Sequence, residues 1–404
     1  PMSMRPQSHD IIRTWAFYTI LRSHLLCDSK PWNEIMMGGF ILAPDGTPMH
    51  ASKNNVIDPL EVLDKYGADS IRYYAATCAL GKDNAFRWKD VTEGVRFTRK
   101  FWNVQKLMCT NIQKLTAPDI EFSKLTENLH DIDKWILNKY STLEAKATEY
   151  MDNFQFDKTR KIVMEFIWHE LADHYLELVK YRIYDANDKT IDAILFHIGL
   201  GITKLLAPLL PHITEEVYQQ FYLDLEGCKS VHQSNWPKIE FKDDQGEANG
   251  EIIKNVIRQI RHWKSEQGIP LNSDLNYVGI ITTIHHDVLS NNKEDIIQTI
   301  KTKNFEFAQD TETSESIRGI KPIYSALGPE FKGKSKEIIS KLEKVEPEEV
   351  HNQLTSSGQY ILKMNNGETV NLTFKHVSLE TTKQVHGRDV DTIDLKDMTI
   401  LIQK

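Results

Sequence analysis

Between Gly39 and Asp69 the chain gathers side chains suited to holding a polyphosphate. Lys53 offers a point charge, Ser52 a hydroxyl and His50 a donor, within the polar stretch Met49-His50-Ala51-Ser52-Lys53-Asn54-Asn55, whose loop amides add further donors. An apolar run, Phe40-Ile41-Leu42, leads in through a Pro44-Asp45-Gly46 turn, and Asp58-Pro59 opens a helical pattern beyond. The same spacing also describes an ordinary strand-to-helix connection with Asp58 as its N-cap. A second polar group, His9 and Asp10, stands where a strand-like segment gives way to an amphipathic helix, with Ser8 or Asp10 placed to cap it. Free amides at such a junction attract anions, the arrangement that nucleotide sites on parallel sheets use. His169 and His174 resemble a metal pair, but five residues turn about 140° around an α-helix, and zinc-binding helices space their histidines by four with a glutamate between. No metal site is expected.

These groups need elements to carry them. Residues 1–26 read as a strand, a polar turn and a helix, and Ile35–Leu42 as the next strand. Apolar positions at Leu60, Leu63, Tyr66, Ala68, Ile71, Tyr74 and Ala75 predict helix, a turn at Gly67, and helix again. From 91 to 240 the pattern is helical almost throughout, with helices carrying Val95–Leu107, Trp135–Tyr140 and Ile162–Val179, which predicts an antiparallel bundle. Arg96, Arg99, Lys100 and Lys106 share a helix with Phe97, Phe101 and Trp102, either a basic face for RNA or a solvated face over a core. Residues 241–250, polar and Gly-containing, read as a linker. In 251–404, Ile252, Ile253, Val256, Ile257 and Ile260 form an apolar stripe, and Lys254, Arg258 and Arg261, with Lys264 just beyond, form a basic line of the kind that neutralises successive phosphates. Alternating runs at 277–284, 359–363 and 369–374 around helices near 333–343 and 347–355 predict a small α/β appendage.

Composition sets outer limits. The 404 residues are enough for two or three domains, and 49 basic against 57 acidic residues leave a net charge of −8, which excludes a chain that is basic throughout but not a local basic face. Cys27, Cys78, Cys109 and Cys228 have no paired spacing, so reduced thiols and a cytoplasmic setting are expected. The chain opens on Pro1 and is within ordered structure a dozen residues later, which predicts a fragment.

Letter by letter, the 39–69 stretch resembles the second signature of class I aminoacyl-tRNA synthetases, a Lys-Met-Ser-Lys-Ser loop followed by Lys-Gly-Asn-Val and an acidic-proline pair. Met49, Ser52, Lys53, Asn55, Val56, Asp58 and Pro59 match. Pro48, His50 and Ala51 depart, the last standing where the family's phosphate-contacting lysine is expected. Some class I relatives use a lysine after the last serine, and by that resemblance Lys53 is the surviving contact. A charge-assisted bond of this kind is worth roughly 1.5–3 kcal/mol, so a shift of two residues requires the loop to reposition. Arg5-Pro6-Gln7, then His9-Asp10-Ile11-Ile12-Arg13-Thr14-Trp15, is similar to archaeal-type valyl members, which implies that His9 and Asp10 face the adenylate and Trp15 walls a valine pocket. Leu205–Glu216 and Val231–Pro237 resemble the end of an anticodon-binding bundle and its closing strand, and Ile257–Leu271 the segment after it.

The resemblance implies an α/β plus all-α fold: 1–90 as the C-terminal part of a class I Rossmann-like catalytic domain with its stem, 91–240 as a helical anticodon-binding domain, and a basic helix with a small α/β domain at 251–404. It implies ATP-dependent activation of valine and transfer to valine tRNA. Catalysis would rest on Lys53, Ser52 and His50, nucleotide binding on His9, Asp10, Met49 and Lys53, and tRNA contact on Arg96, Arg99, Lys100, Lys254, Arg258, Arg261 and Lys264. ATP would enter with Mg2+ bridging its phosphates. The family's first signature, His-Ile-Gly-His, and its editing domain are not in these residues, so the N-terminal half is an expected partner and the 404 residues alone are expected not to aminoacylate. Alternatives are a non-catalytic tRNA-binding paralogue, a subunit of a split synthetase, or an isoleucyl or leucyl member.

Overall fold

Strand β1 (Met2–Ser8) lies parallel to β2 (Trp32–Gly38), with Met2 opposite Trp32 and Ser8 opposite Gly38. Parallel neighbours need a crossover, here α1 (Phe17–Cys27), reached through a 3-10 turn at His9–Ile11 and a wide-wound turn at Ile12–Ala16. Neither Ser8 nor Asp10 caps this winding; Ser8 has the extended backbone of an N-cap but its side chain bonds no amide. The computed structural model describes residues 2–126, 129–184, 188–308, 313–385 and 387–404.

The strand expected over 35–42 is divided. β2 ends at Gly38, and β3 (Ile41–Leu42) pairs in parallel with β4 (Asn84–Ala85). At the break the Gly39 backbone lies against that of Lys82, where a Cβ would stand 1.9 Å from the Lys82 carbonyl oxygen and only glycine fits. After the loop, Asp58 caps α2 (Pro59–Tyr66) by accepting from the Leu60 amide at 2.9 Å. Gly67, at φ +80°, turns the chain directly into α3 (Ala68–Ala75).

The bundle follows: α4 (Trp88–Met108), α5 (Asp131–Asp152), α6 (Phe156–Glu165) continuing as a wide-wound segment, Phe166–Tyr175, then α7 (Lys189–Leu206) and α8 (Pro211–Phe221). Phe97, Phe101, Trp135, Tyr140, Tyr175, Tyr218 and Tyr222 are fully buried. Arg182 is held as an ion inside this core by carboxylates on two of its three guanidinium nitrogens: Nη1 bridges the two Asp133 oxygens at 2.9 and 2.8 Å, and Nε meets Asp188 at 2.7 Å. The α-helical angle that separates His169 from His174 does not hold in a wide-wound segment, where bonding runs i to i+5; His169 instead meets Asp173 at 3.3 Å.

Two expectations are overturned here. Residues 231–237 form a 3-10 turn at Val231–Gln233, not a strand, because the Glu215 carboxylate takes the Val231 amide at 3.0 Å and the Ser230 hydroxyl at 2.8 Å. The stretch 241–250 is not a linker. Phe241 and Asp243 are bonded to Ser141 and Asn138 of α5, and α9 (Asp244–Glu266) begins within it. Gly246 and Gly250 are sites of close approach: a Cβ on Gly250 would lie 2.2 Å from Trp135 Cβ, and one on Gly246 2.7 Å from Lys134 Cβ.

Residues 1–258 form one compact unit and 259–404 a second, the division falling inside α9. The second unit is built on a six-stranded sheet of β5 (Tyr277–Ile281), β6 (Phe305–Glu306), β7 (Thr313–Pro322), β10 (Val377–Val385), β11 (Arg388–Leu395) and β12 (Met398–Gln403), in the order β6-β5-β12-β11-β10-β7. Among the described residues of this sheet, β5 and β6 pair in parallel and the other neighbours antiparallel. Beside it, α10 (Tyr324–Phe331), α11 (Ser335–Leu342) and α12 (Pro347–Ser357) close over the hairpin β8 (Tyr360–Lys363) and β9 (Thr369–Leu372) around Leu327, Ile338, Val350, Leu354 and Leu372. Among the described residues no helix is long and apolar enough to cross a membrane.

Candidate functional site

Asn55 ties the loop after β3 together from within. Asn55 Oδ1 accepts from the His50 amide at 2.8 Å, while its Nδ2 donates to Thr47 Oγ1 and the Pro48 carbonyl, both at 3.1 Å. Asn54 takes the left-handed conformation at φ +51°, which closes the 3-10 turn Ala51–Lys53. Asp45 braces the entrance by accepting from the amide and hydroxyl of Thr47, and these bonds lower its pKa. His50, Ser52 and Lys53 are exposed, and the Lys53 ammonium has no hydrogen bond or ion pair among the described residues. Met49 behaves differently. It packs, partly buried, against the core of Val62, Tyr74, Phe86 and Val91, and so anchors the loop to α2, α3 and α4.

A second group forms at the end of β1. His9 Nε2 lies 3.3 Å from Asp83 Oδ1, its ring edge meets Phe40 at 4.9 Å, and the same Asp83 oxygen accepts from the Phe40 amide at 2.7 Å. Asp83 was not among the sequence candidates; it stands 74 residues from His9, and only the pairing of β3 with β4 brings it there. Trp15 stacks on Trp32 at 5.6 Å and 6°, with the Arg5 guanidinium 4.0 Å from its ring centre. Asp10 is exposed. Gln7 is buried, yet both polar atoms of its amide lack partners among the described residues, as do Ser8 Oγ and Arg5 Nε. No hydrogen bond or ion pair among the described residues joins the His9 group to the 48–53 loop.

The basic residues divide sharply. On α4, Arg96, Arg99 and Lys106 are exposed, with Lys89 about two turns earlier on the same helix, and none has an ion pair among the described residues. Lys100 is half-buried, 4.0 Å from Asp173 and above the Trp168 ring. On α9, Arg258 is exposed and bonds Asn255, and Arg261 is half-buried. Lys254 is internal to the bundle, paired with Glu251 at 2.8 Å and Glu170 at 3.5 Å over the Trp135 ring. Lys264 is not an RNA contact at all: it is fully buried and donates to the carbonyls of Leu271, Ser273 and Ile300, and burial pulls its pKa down to about 8.

Comparisons with known proteins bear on the whole of this arrangement. Residues 1–87 match the family model "tRNA synthetases class I (I, L, M and V)", and residues 133–278 match "Anticodon-binding domain of tRNA ligase". The valine–tRNA ligase of Thermococcus kodakarensis is 36% identical over 99% of this chain and 45% of its own length. Those of Pyrococcus furiosus and Archaeoglobus fulgidus are 34% and 35% identical over 99% and 100% of this chain and 45% and 46% of their lengths. The chain thus spans under half the length of these curated relatives. A solved ternary complex, "Agrobacterium radiobacter K84 agnB2 LeuRS-tRNA-LeuAMS", is similar at a TM-score of 0.47 and 17% identity over 80% of this chain and 36% of that one, a likeness too slight to build on.

Proposed function

Since this chain belongs to the class I aminoacyl-tRNA synthetases, we propose that it is the portion of a valine–tRNA ligase that carries the second signature loop and the anticodon-binding bundle. The reaction is activation of valine by ATP, entering as its magnesium complex, to valyl-adenylate, followed by transfer of the valyl group to the terminal ribose of valine tRNA with AMP as the leaving group. The valine carboxylate attacks the α-phosphate in line, the bond to the β-phosphate breaks, and pyrophosphate leaves. Positioning and neutralisation of that leaving charge matter more here than any covalent nucleophile.

One observation carries the reading: the exposed, unpaired Lys53 ammonium on a loop that Asn55 clamps internally and Met49 anchors to the stem. A lysine so placed meets a polyphosphate without first breaking an ion pair. Ser52 and His50 lie on the same exposed turn and add donors. The His9–Asp83 pair and the unpartnered amide of Gln7 suit the polar edge of an adenylate, and Trp15 offers an apolar wall for the amino-acid side chain. Arg96, Arg99 and Lys106 give the bundle a face for RNA. The remaining half of the catalytic domain completes the site.

The test is valine-dependent exchange of pyrophosphate into ATP. The 404 residues alone are expected to give none; turnover by them would overturn the need for a further half. The protein at its native cellular length is expected to exchange, and Lys53→Ala is expected to lower that rate by about 10²-fold or more. A second reading, a tRNA-binding paralogue without catalysis, is favoured by Pro48 and Ala51, which replace two family lysines. Exchange by the native-length protein excludes it.

A further inference from the structure

Helix α3 carries two side chains, one turn apart, that hold both sides of a single corner in the bundle. Asp69, buried, accepts from the amides of His212 at 3.3 Å and Ile213 at 2.6 Å in the first turn of α8, where the N-cap residue Leu210 supplies no side-chain cap. Arg72 donates from Nε to the Leu209 carbonyl at 3.0 Å and from Nη2 to the Pro208 carbonyl at 2.8 Å. A helix start leaves amides without partners, and a tight corner before it leaves carbonyls. The carboxylate and the guanidinium meet these two sets from more than 130 residues away in sequence.

The rest of α3 is fixed as closely. At Gly94 of α4 an added Cβ would lie 3.1 Å from Ser70 Cα, so the two helices touch backbone to backbone. Arg160 of α6 donates to the Tyr73 hydroxyl at 2.9 Å and to the Ala76 carbonyl at 3.2 Å. Tyr74 enters the core that Met49 and Ile57 pack against, and Met49 is four residues before Lys53. Side-chain contacts are therefore continuous from the α7–α8 corner, through α3, to the base of the loop.

We propose that Asp69 and Arg72 are positioning residues: by clamping α3 to the α7–α8 corner they set where the loop holds Lys53. This rests on the reading of Lys53 as the phosphate contact. The clamp has no work to do on substrate itself, so its whole effect on chemistry must pass through the loop. Such a residue leaves a signature that a merely stabilising one does not.

The experiment is a double-mutant cycle in the native-length protein, read as the single-turnover rate of valyl-adenylate formation. Asp69→Ala is expected to slow that step roughly ten- to a hundredfold, the scale on which a small misplacement acts, with tRNA affinity within about twofold of wild type. In a Lys53→Ala background the same change is expected to cost less than about twofold, because the contact it positions is gone. Equal losses in both backgrounds overturn the proposal, since the residue then acts independently of Lys53. If Lys53→Ala alone costs nothing, the phosphate reading fails first, and the clamp with it. Should Asp69→Ala fail to fold, Asp69→Asn and Arg72→Lys keep shape or charge while losing one of the two bonds each, and the same cycle applies.

Discussion

Glu251 is the most heavily engaged carboxylate on α9. Oε1 accepts from the Trp135 indole at 2.8 Å and from Lys139 at 3.1 Å, and Oε2 pairs with Lys254 at 2.8 Å. Burial alone would raise its pKa, but the bonds from Lys254, Trp135 and Lys139 outweigh burial and hold it at about 2. A carboxyl whose folded pKa lies below its unfolded value contributes stability that is complete above the unfolded value and is lost as pH falls through the folded one. The window here runs from about 4.5 down to about 2. Urea unfolding midpoints measured across that window should fall with acid in the wild type and fall less steeply in Glu251→Gln. At pH 7 the variant should be the less stable by on the order of 1 kcal/mol, a modest figure because the side chain is two-fifths exposed and screened. Parallel acid limbs in the two proteins would mean that Glu251 does not carry this part of the pH dependence.

At the scale of the element, α9 shows how one residue type carries two opposite messages. Gly250 in an exposed helix interior would be a weak point, and Gly250→Ala would stabilise by about 1 kcal/mol through propensity alone. Here the new Cβ would meet Trp135 Cβ at 2.2 Å and the Asp131 carbonyl at 3.1 Å, and neither is a flexible chain end. Overpacking of this kind costs about 1–3 kcal/mol, so the substitution should lower the midpoint of thermal unfolding by several degrees despite the better helix former. A higher midpoint would show that the two helices separate freely. The sequence held the clue in the four-residue spacing of Gly246 and Gly250, which puts both on one helix face, but a polar Gly-containing stretch read alone looks like a linker. Lys264 was misread for a related reason. The row Lys254, Arg258, Arg261 continues to Ser265, whereas Lys264 continues the apolar row Ile253, Ile257, Ile260 and is buried with it. Where local chemistry decides, as at the Asp58 cap and Gly67, the reading from sequence stands. Where a distant partner decides, as with Asp83 on His9 or Glu215 on the 231 turn, no local signal existed.

For the whole molecule, a net charge of −8 and the proposed binding of RNA are compatible only if cations are segregated. The structure separates them in kind. Lys254 and Lys264 are spent on internal carboxylates and carbonyls, while Lys89, Arg96, Arg99 and Lys106 lie exposed along α4. Phosphate contacts release counterions, and each one steepens the fall of log affinity with log salt by about 0.7–0.9. Binding of valine tRNA by the native-length protein, measured from 50 to 200 mM salt, should therefore lose about one such step in slope for each of Arg96→Ala, Arg99→Ala and Lys106→Ala. Lys254→Ala should leave the slope unchanged and lower the unfolding midpoint instead, because it takes away the cation beside Glu170 and one of the two, with Lys139, that hold Glu251. Were Lys254→Ala to flatten the slope and the α4 changes not, α4 would not be the RNA face.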